Sequence, residues 1–182
     1  MRKKGYTLIE LVMSISLLVI VLLGGTAIFF RSLRSSGISD IQSSVNNNLR
    51  TLDEMIEGVL RYGTVTRLVG LDDLDIERDD CLLAGDNGVT GKAIVIRDSW
   101  GATAQYTRGV DIENERGYVS SNSAIISNPE IDVTNLEFLW YCRSGVNDKI
   151  KLLIEAKTEE SSGETISGKI DKDINMLNSG IN

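Results

Sequence analysis

The sequence predicts an α+β fold in which one long amino-terminal helix packs on an antiparallel β-sheet head. Three observations predict it. An apolar run without charge extends from Leu11 to Phe30. A single apolar stripe at helical spacing follows, and the rest of the chain alternates apolar and polar residues between turns. The 182 residues suit one globular domain with an appendage and exclude a large multidomain enzyme. The chain holds no histidine, so Ser-His-Asp and Cys-His catalysis and imidazole metal sites are excluded. A net charge of −7 and 5% aromatic residues argue against a broad basic surface or a base-stacking platform for nucleic acid.

The first element is the apolar half of the helix. The chain opens Met1-Arg2-Lys3-Lys4-Gly5, and the charge-free run Leu11–Phe30 follows shortly after. Twenty helical residues span about 30 Å, the hydrocarbon thickness of a bilayer. A soluble core helix is rarely apolar on every side for so long, so this half is expected to insert in a membrane. The basic tip favours a cytoplasmic amino terminus, but Arg31 and Arg34 at the other end reduce that bias. Glu10 stands at the threshold of the run, where an ion without a partner is costly. Processing has two readings. Cleavage behind Gly25-Thr26-Ala27 would release a secreted head, whereas cleavage between Gly5 and Tyr6 would leave the helix on the mature protein.

The string Gly5-Tyr6-Thr7-Leu8-Ile9-Glu10-Leu11 selects the second reading. It resembles the type III signal of type IV pilins and pseudopilins. The shared features are a short basic leader ending in Gly, an aromatic or apolar residue next, and Glu at the fifth position after the cut. The resemblance implies that Gly5 is the last residue of a leader (1–5) recognised by a membrane-embedded prepilin peptidase. It implies that Tyr6 becomes the N-methylated amino terminus. It also implies that Glu10 neutralises the α-amino group of Tyr6 on a neighbouring subunit. An ammonium and a carboxylate held in an apolar bundle are costly apart, and together they fix register. The implied partners are other pilin or pseudopilin subunits, the prepilin peptidase and methylase, an inner-membrane assembly platform, and lipid before assembly.

The expected organisation is an assembly half over 6–30, an amphipathic half over 31–62 and a β-rich head over 63–182. In the amphipathic half, Ile38, Ile41, Val45, Leu49, Leu52, Ile56 and Val59 fall on one helical face, with charged and amide side chains between them. Arg61-Tyr62-Gly63 reads as the stop. No proline interrupts the helix, and Gly24-Gly25 offers the site where it could bend.

In the head, Leu136–Arg143 and Lys149–Lys157 read as a hairpin with even positions inward, joined through Ser144–Asp148. Weaker strands lie at Ala93–Arg97, Thr103–Thr107, Gly117–Ser120 and Thr165–Ile170, the last after a turn at Glu160–Gly163. Four to six strands are expected, burying Phe138, Trp140, Ile150, Leu152 and Ile154 against the helix stripe. This order resembles the pilin layout, and Ile131–Phe138 with its hairpin is similar to the carboxy-terminal strands of minor pilins and J-type pseudopilins.

Cys81 and Cys142 are the only cysteines, and a head outside the cytoplasm favours a disulfide between them over the alternative, Cys142 as a small buried hydrophobe. Leu71–Asp80 holds six carboxylates, but its spacing is not that of an EF-hand and it reads as a solvated acidic loop. Asp86-Asn87-Gly88 reads as a turn. No linear spacing selects a pair of catalytic carboxylates, and no phosphate-binding loop occurs. The sequence therefore points to no enzyme, no cofactor and no metal. It points to a structural subunit, a minor pilin or pseudopilin of a type IV pilus or type II secretion-like filament. The competing expectation is a membrane-anchored extracytoplasmic binding module that does not polymerise.

Overall fold

The computed structural model describes residues 7–159, 163 and 165–179. The leader and the pair Gly5-Tyr6 lie outside them, as do Glu160–Ser162 of the expected turn. Helix α1 runs from Leu8 to Tyr62, followed by β1 (Thr64–Gly70), β2 (Asp75–Ile76) and the short helix α2 (Arg78–Ala84). A 3-10 turn over Gly85–Asn87 leads into β3 (Val89–Arg97), β4 (Thr103–Val110), β5 (Gly117–Ser121) and β6 (Ala124–Ile125). The chain continues through β7 (Asp132–Tyr141), β8 (Lys149–Glu159) and β9 (Thr165–Asn175). The fold class is α+β.

Two compact units divide the chain, Met1–Asp40 and Ile41–Asn182. The first is the amino-terminal part of α1. Its large apolar side chains stand in the open, from Val19 at 44% exposure to Leu8 at 82%. Three hydroxyls within the run are turned back on their own helix: Ser14 donates to the Glu10 carbonyl at 2.8 Å, Ser16 to Val12 at 2.9 Å and Thr26 to Leu23 at 2.9 Å. Such back-bonding satisfies each donor locally and leaves the helix surface apolar.

The second unit contains the core. Its sheet is antiparallel in the order β6-β5-β4-β3-β7-β8-β9, with β1 added to β3 and β2 to β1. Strand β3 is shared along its length, residues 93–97 pairing with β4 and residues 89–91 with β7. The buried face of α1 is Val45, Leu49, Leu52, Ile56 and Leu60. Val59, the expected end of the stripe, is only half-buried, and Leu60 takes the last core position. Across from this stripe Phe138, Trp140, Ile150, Leu152 and Ile154 are all fully buried.

Helix and sheet approach each other closely at Gly168 of β9. A Cβ there would lie 2.6 Å from Leu49 Cδ1 and 3.1 Å from Val45 Cγ1, so the approach depends on glycine. The helix ends at a second such place. The Gly63 amide donates to the Val59 carbonyl at 2.9 Å, and a Cβ on Gly63 would meet Ile96 Cγ2 at 2.3 Å.

The sheet has nine strands among the described residues, more than the four to six expected. The additions are β1, β2 and β6, and the physical reasons differ. Strands β2 and β6 are two residues long, too short for any periodicity. Strand β1 loses its alternation at a register shift between Val65 and Arg67. The same device operates in β7, where a shift between Val133 and Asn135 moves the buried set from Ile131 and Val133 to Leu136, Phe138 and Trp140. The segment expected to be an acidic loop instead contains β2 and the entrance to α2.

Candidate functional site: the amino-terminal assembly segment

The start of α1 is built by a reciprocal pair of contacts. The Glu10 carboxylate accepts through Oε2 from the Thr7 amide and from Thr7 Oγ1, both at 3.1 Å. The Glu10 amide in turn donates to Thr7 Oγ1 at 3.4 Å. This is a capping box, in which the residue before the first turn and the third residue within it satisfy each other's exposed backbone donors. Thr7 was not singled out by the sequence reading, although the pattern Thr-x-x-Glu directly before an apolar run is its signature. The box commits Glu10 Oε2, whereas Oε1 makes no hydrogen bond among the described residues. A carboxylate has about four acceptor positions, so the occupied oxygen leaves half of its capacity for another donor.

From Leu8 onward the helix is long and apolar enough to cross a bilayer. Its most apolar window has a mean hydropathy of 2.5, and none of that window is buried by the rest of the chain. Residues 1–26 match the family model of the prokaryotic N-terminal methylation motif. The amino terminus is a prepilin-type signal. No curated protein and no solved structure matches the chain. The motif spans Gly5, Tyr6 and Glu10 together with the apolar start of the helix, and it points to processing by prepilin peptidase. With the exposed apolar helix it supports membrane anchoring by a transmembrane segment.

The head contains a second set of constrained side chains. Cys81 in α2 and Cys142 just beyond β7 form a disulfide, with Cα atoms 5.7 Å apart. Beside it, the buried Asp148 carboxylate receives Arg78 through both nitrogens at 2.8 and 3.2 Å and the Trp140 indole N–H at 3.2 Å. The Asp148 backbone is held as well, its amide donating to Ser179 Oγ at 2.9 Å and its carbonyl accepting from the Met176 amide at 3.0 Å. The disulfide and this carboxylate thus tie α2, the β7–β8 hairpin and the carboxy-terminal segment together.

Several carboxylates of Leu71–Asp80 are engaged individually. Asp73 pairs with Lys92 at 2.6 Å and Asp75 with Arg67 at 2.7 Å. Asp80 closes a capping box with Glu77 at the start of α2. Among the described residues no group of three or more His, Cys, Asp or Glu is arranged to hold a metal.

Lys172 of β9 reaches back to α1, donating to Asp53 Oδ2 at 3.0 Å and to Glu57. The hydrogen bond from Lys172, joined by that from Arg61, holds the Glu57 carboxyl below the ordinary carboxylate value. Glu57, followed by Asp53, raises the Lys172 ammonium above the usual lysine value.

Proposed function

We propose that this chain is a minor pilin or pseudopilin, a structural subunit of a type IV pilus or type II secretion-like filament. The observation that carries the reading is the methylation motif running directly into a helix whose first half keeps its apolar surface uncovered among the described residues. Such a surface is stable in lipid or against similar helices, and passage between the two exposes none of it to water. Gly5 is then the last residue of a five-residue leader and Tyr6 the methylated amino terminus. The 6–30 half of the helix serves anchoring and assembly, the 31–62 half carries the head, and the head over 63–182 faces away from the cytoplasm. A disulfide in the head is consistent with an oxidising compartment. The function is structural rather than enzymatic, and the partners are related subunits and the assembly platform.

In this reading Glu10 has two tasks divided between its oxygens. Oε2 starts the helix through Thr7, and Oε1 receives the ammonium of a neighbour's Tyr6. The decisive experiment is mass spectrometry of the native chain combined with Glu10→Gln. Cleavage after Gly5 with a methyl group on Tyr6 is expected. Glutamine retains a capping acceptor but not the charge, so Glu10→Gln is expected to remain helical and membrane-bound while its incorporation into filaments falls at least tenfold. An intact Met1 with no filament incorporation would instead identify an anchored module.

A further inference from the structure

We propose a neutral saccharide-binding groove in the head, formed where the end of α1 meets the β3–β4 turn. The inference is independent of filament assembly. The groove has a volume of about 460 Å³, in the range that accommodates one or a few sugar rings. Gly58 and Val59 of the helix, Tyr62 at its last turn, and Asp98, Trp100 and Thr103 of the hairpin line it.

The indole of Trp100 is 92% exposed, an unusual position for the largest apolar side chain. Its backbone is not loose. Asp98 Oδ1 accepts from the Trp100 amide at 2.9 Å and the Ala102 amide at 2.8 Å, and the Asp98 amide donates to the Ala102 carbonyl at 2.9 Å. The turn therefore fixes the backbone that carries the indole, which lowers the ordering cost of binding to that of the side chain alone. Tyr62, 58% exposed, supplies a second aromatic ring at the same groove.

The polar atoms decide the ligand class. Among the described residues no lysine or arginine lines the groove, so it lacks the charge that a phosphate or nucleic acid requires. Ser99 Oγ, Thr103 Oγ1, Tyr62 Oη and the second carboxylate oxygen of Asp98 make no hydrogen bonds among the described residues. Aromatic faces beside hydroxyl and carboxylate acceptors match a pyranose, which has an apolar C–H face and a rim of hydroxyls. On the helix side of the groove Gly58 has open space where a side chain would begin, which leaves room for a ring to lie against the aromatic walls.

The test uses tryptophan fluorescence of the full-length processed chain in detergent micelles. Of the two tryptophans, Trp140 is fully buried and hydrogen-bonded to Asp148, so changes at the protein surface report on Trp100. The probes are cellotriose, maltotriose and chitotriose. A saturable blue shift with at least one of them is expected. It should be absent in Trp100→Ala and at least tenfold weaker in affinity in Tyr62→Ala, while circular dichroism and filament incorporation of Trp100→Ala remain unchanged. No shift with any of the three sugars, or an equal shift in Trp100→Ala, would overturn the proposal. A shift that depends on protein concentration without sugar would do so too, by identifying the groove as a protein interface. Normal filament incorporation in any of those cases would leave the assembly reading intact.

Discussion

Thr7 and Glu10 illustrate how one carboxylate serves local structure and leaves capacity for an intermolecular contact. Removing the Thr7 hydroxyl in Thr7→Ala is expected to fray the first turn at a cost of about 1 kcal/mol. Amide hydrogen exchange at Leu8–Glu10 in micelles checks this, with faster exchange there and none of the acceleration extending past Ser14. Asp148 is the corresponding residue in the head. Its side chain is fully buried between the Arg78 guanidinium and the Trp140 indole. Asp148→Ala would leave that guanidinium without its partner and is expected to destabilise the head by about 3–5 kcal/mol. Urea unfolding followed by Trp140 emission measures it. A change below 1 kcal/mol would mean that water replaces the carboxylate and that the contact is peripheral to stability.

At the scale of elements, the helix stripe and the β7–β8 hairpin were legible because both bury one face of a long regular segment. In β8, Ile150, Leu152, Ile154 and Ala156 keep an unbroken two-residue period into the core. Strand β1 and the first residues of β7 were obscured by register shifts, each of which moves the apolar set to the opposite parity. Helix α2 was hidden for another reason. It is seven residues long, and its acidic beginning has the composition of a solvated loop although Glu77 and Asp80 form a cap. Its position is fixed by long-range contacts, Cys81 with Cys142 and Arg78 with Asp148, which local sequence does not encode. Reducing the disulfide, which spans 61 residues, is expected to lower stability by about 4 kcal/mol in the loop-entropy treatment. Paired urea titrations with and without reductant test that value. The contact between β9 and α1 has a steric and an electrostatic part. Gly168→Val would force two methyl groups into the space of Leu49 and Val45 and should cost about 1–3 kcal/mol. The lowered Glu57 value means that its contribution is present above the ordinary carboxylate range and lost as pH falls through that lowered value. Glu57→Gln should therefore reduce stability at pH 7 and make progressively less difference as the pH is taken down through and below the carboxylate range, as measured by urea midpoints across an acid titration.

Across the whole molecule, anchoring and folding are separate problems with separate sequence solutions. The amino-terminal segment was legible because its chemistry is local: a basic leader, a glycine, a spaced glutamate and a charge-free run all lie within the first 30 residues. The Trp100 groove was not legible, because it joins residues 58–62 of a helix to a hairpin turn some forty positions later. Among the described residues, every buried residue of the hydrophobic core lies at Val45 or beyond, and the compact unit that contains it begins at Ile41. The exposed apolar side chains of Leu8–Leu33 contribute nothing to that core. A fragment comprising residues 41–182 is therefore expected to fold without detergent, keep the disulfide, and unfold in urea within about 1 kcal/mol of the full chain, the range over which separate sites add. The same fragment should neither partition into vesicles nor enter filaments. Aggregation of the fragment, or a stability loss of several kcal/mol, would show that the apolar half supports the head as well as anchoring it. Independent folding would mean that the helix from Leu8 to Leu33 is retained for its intermolecular surface, because it is dispensable for the fold.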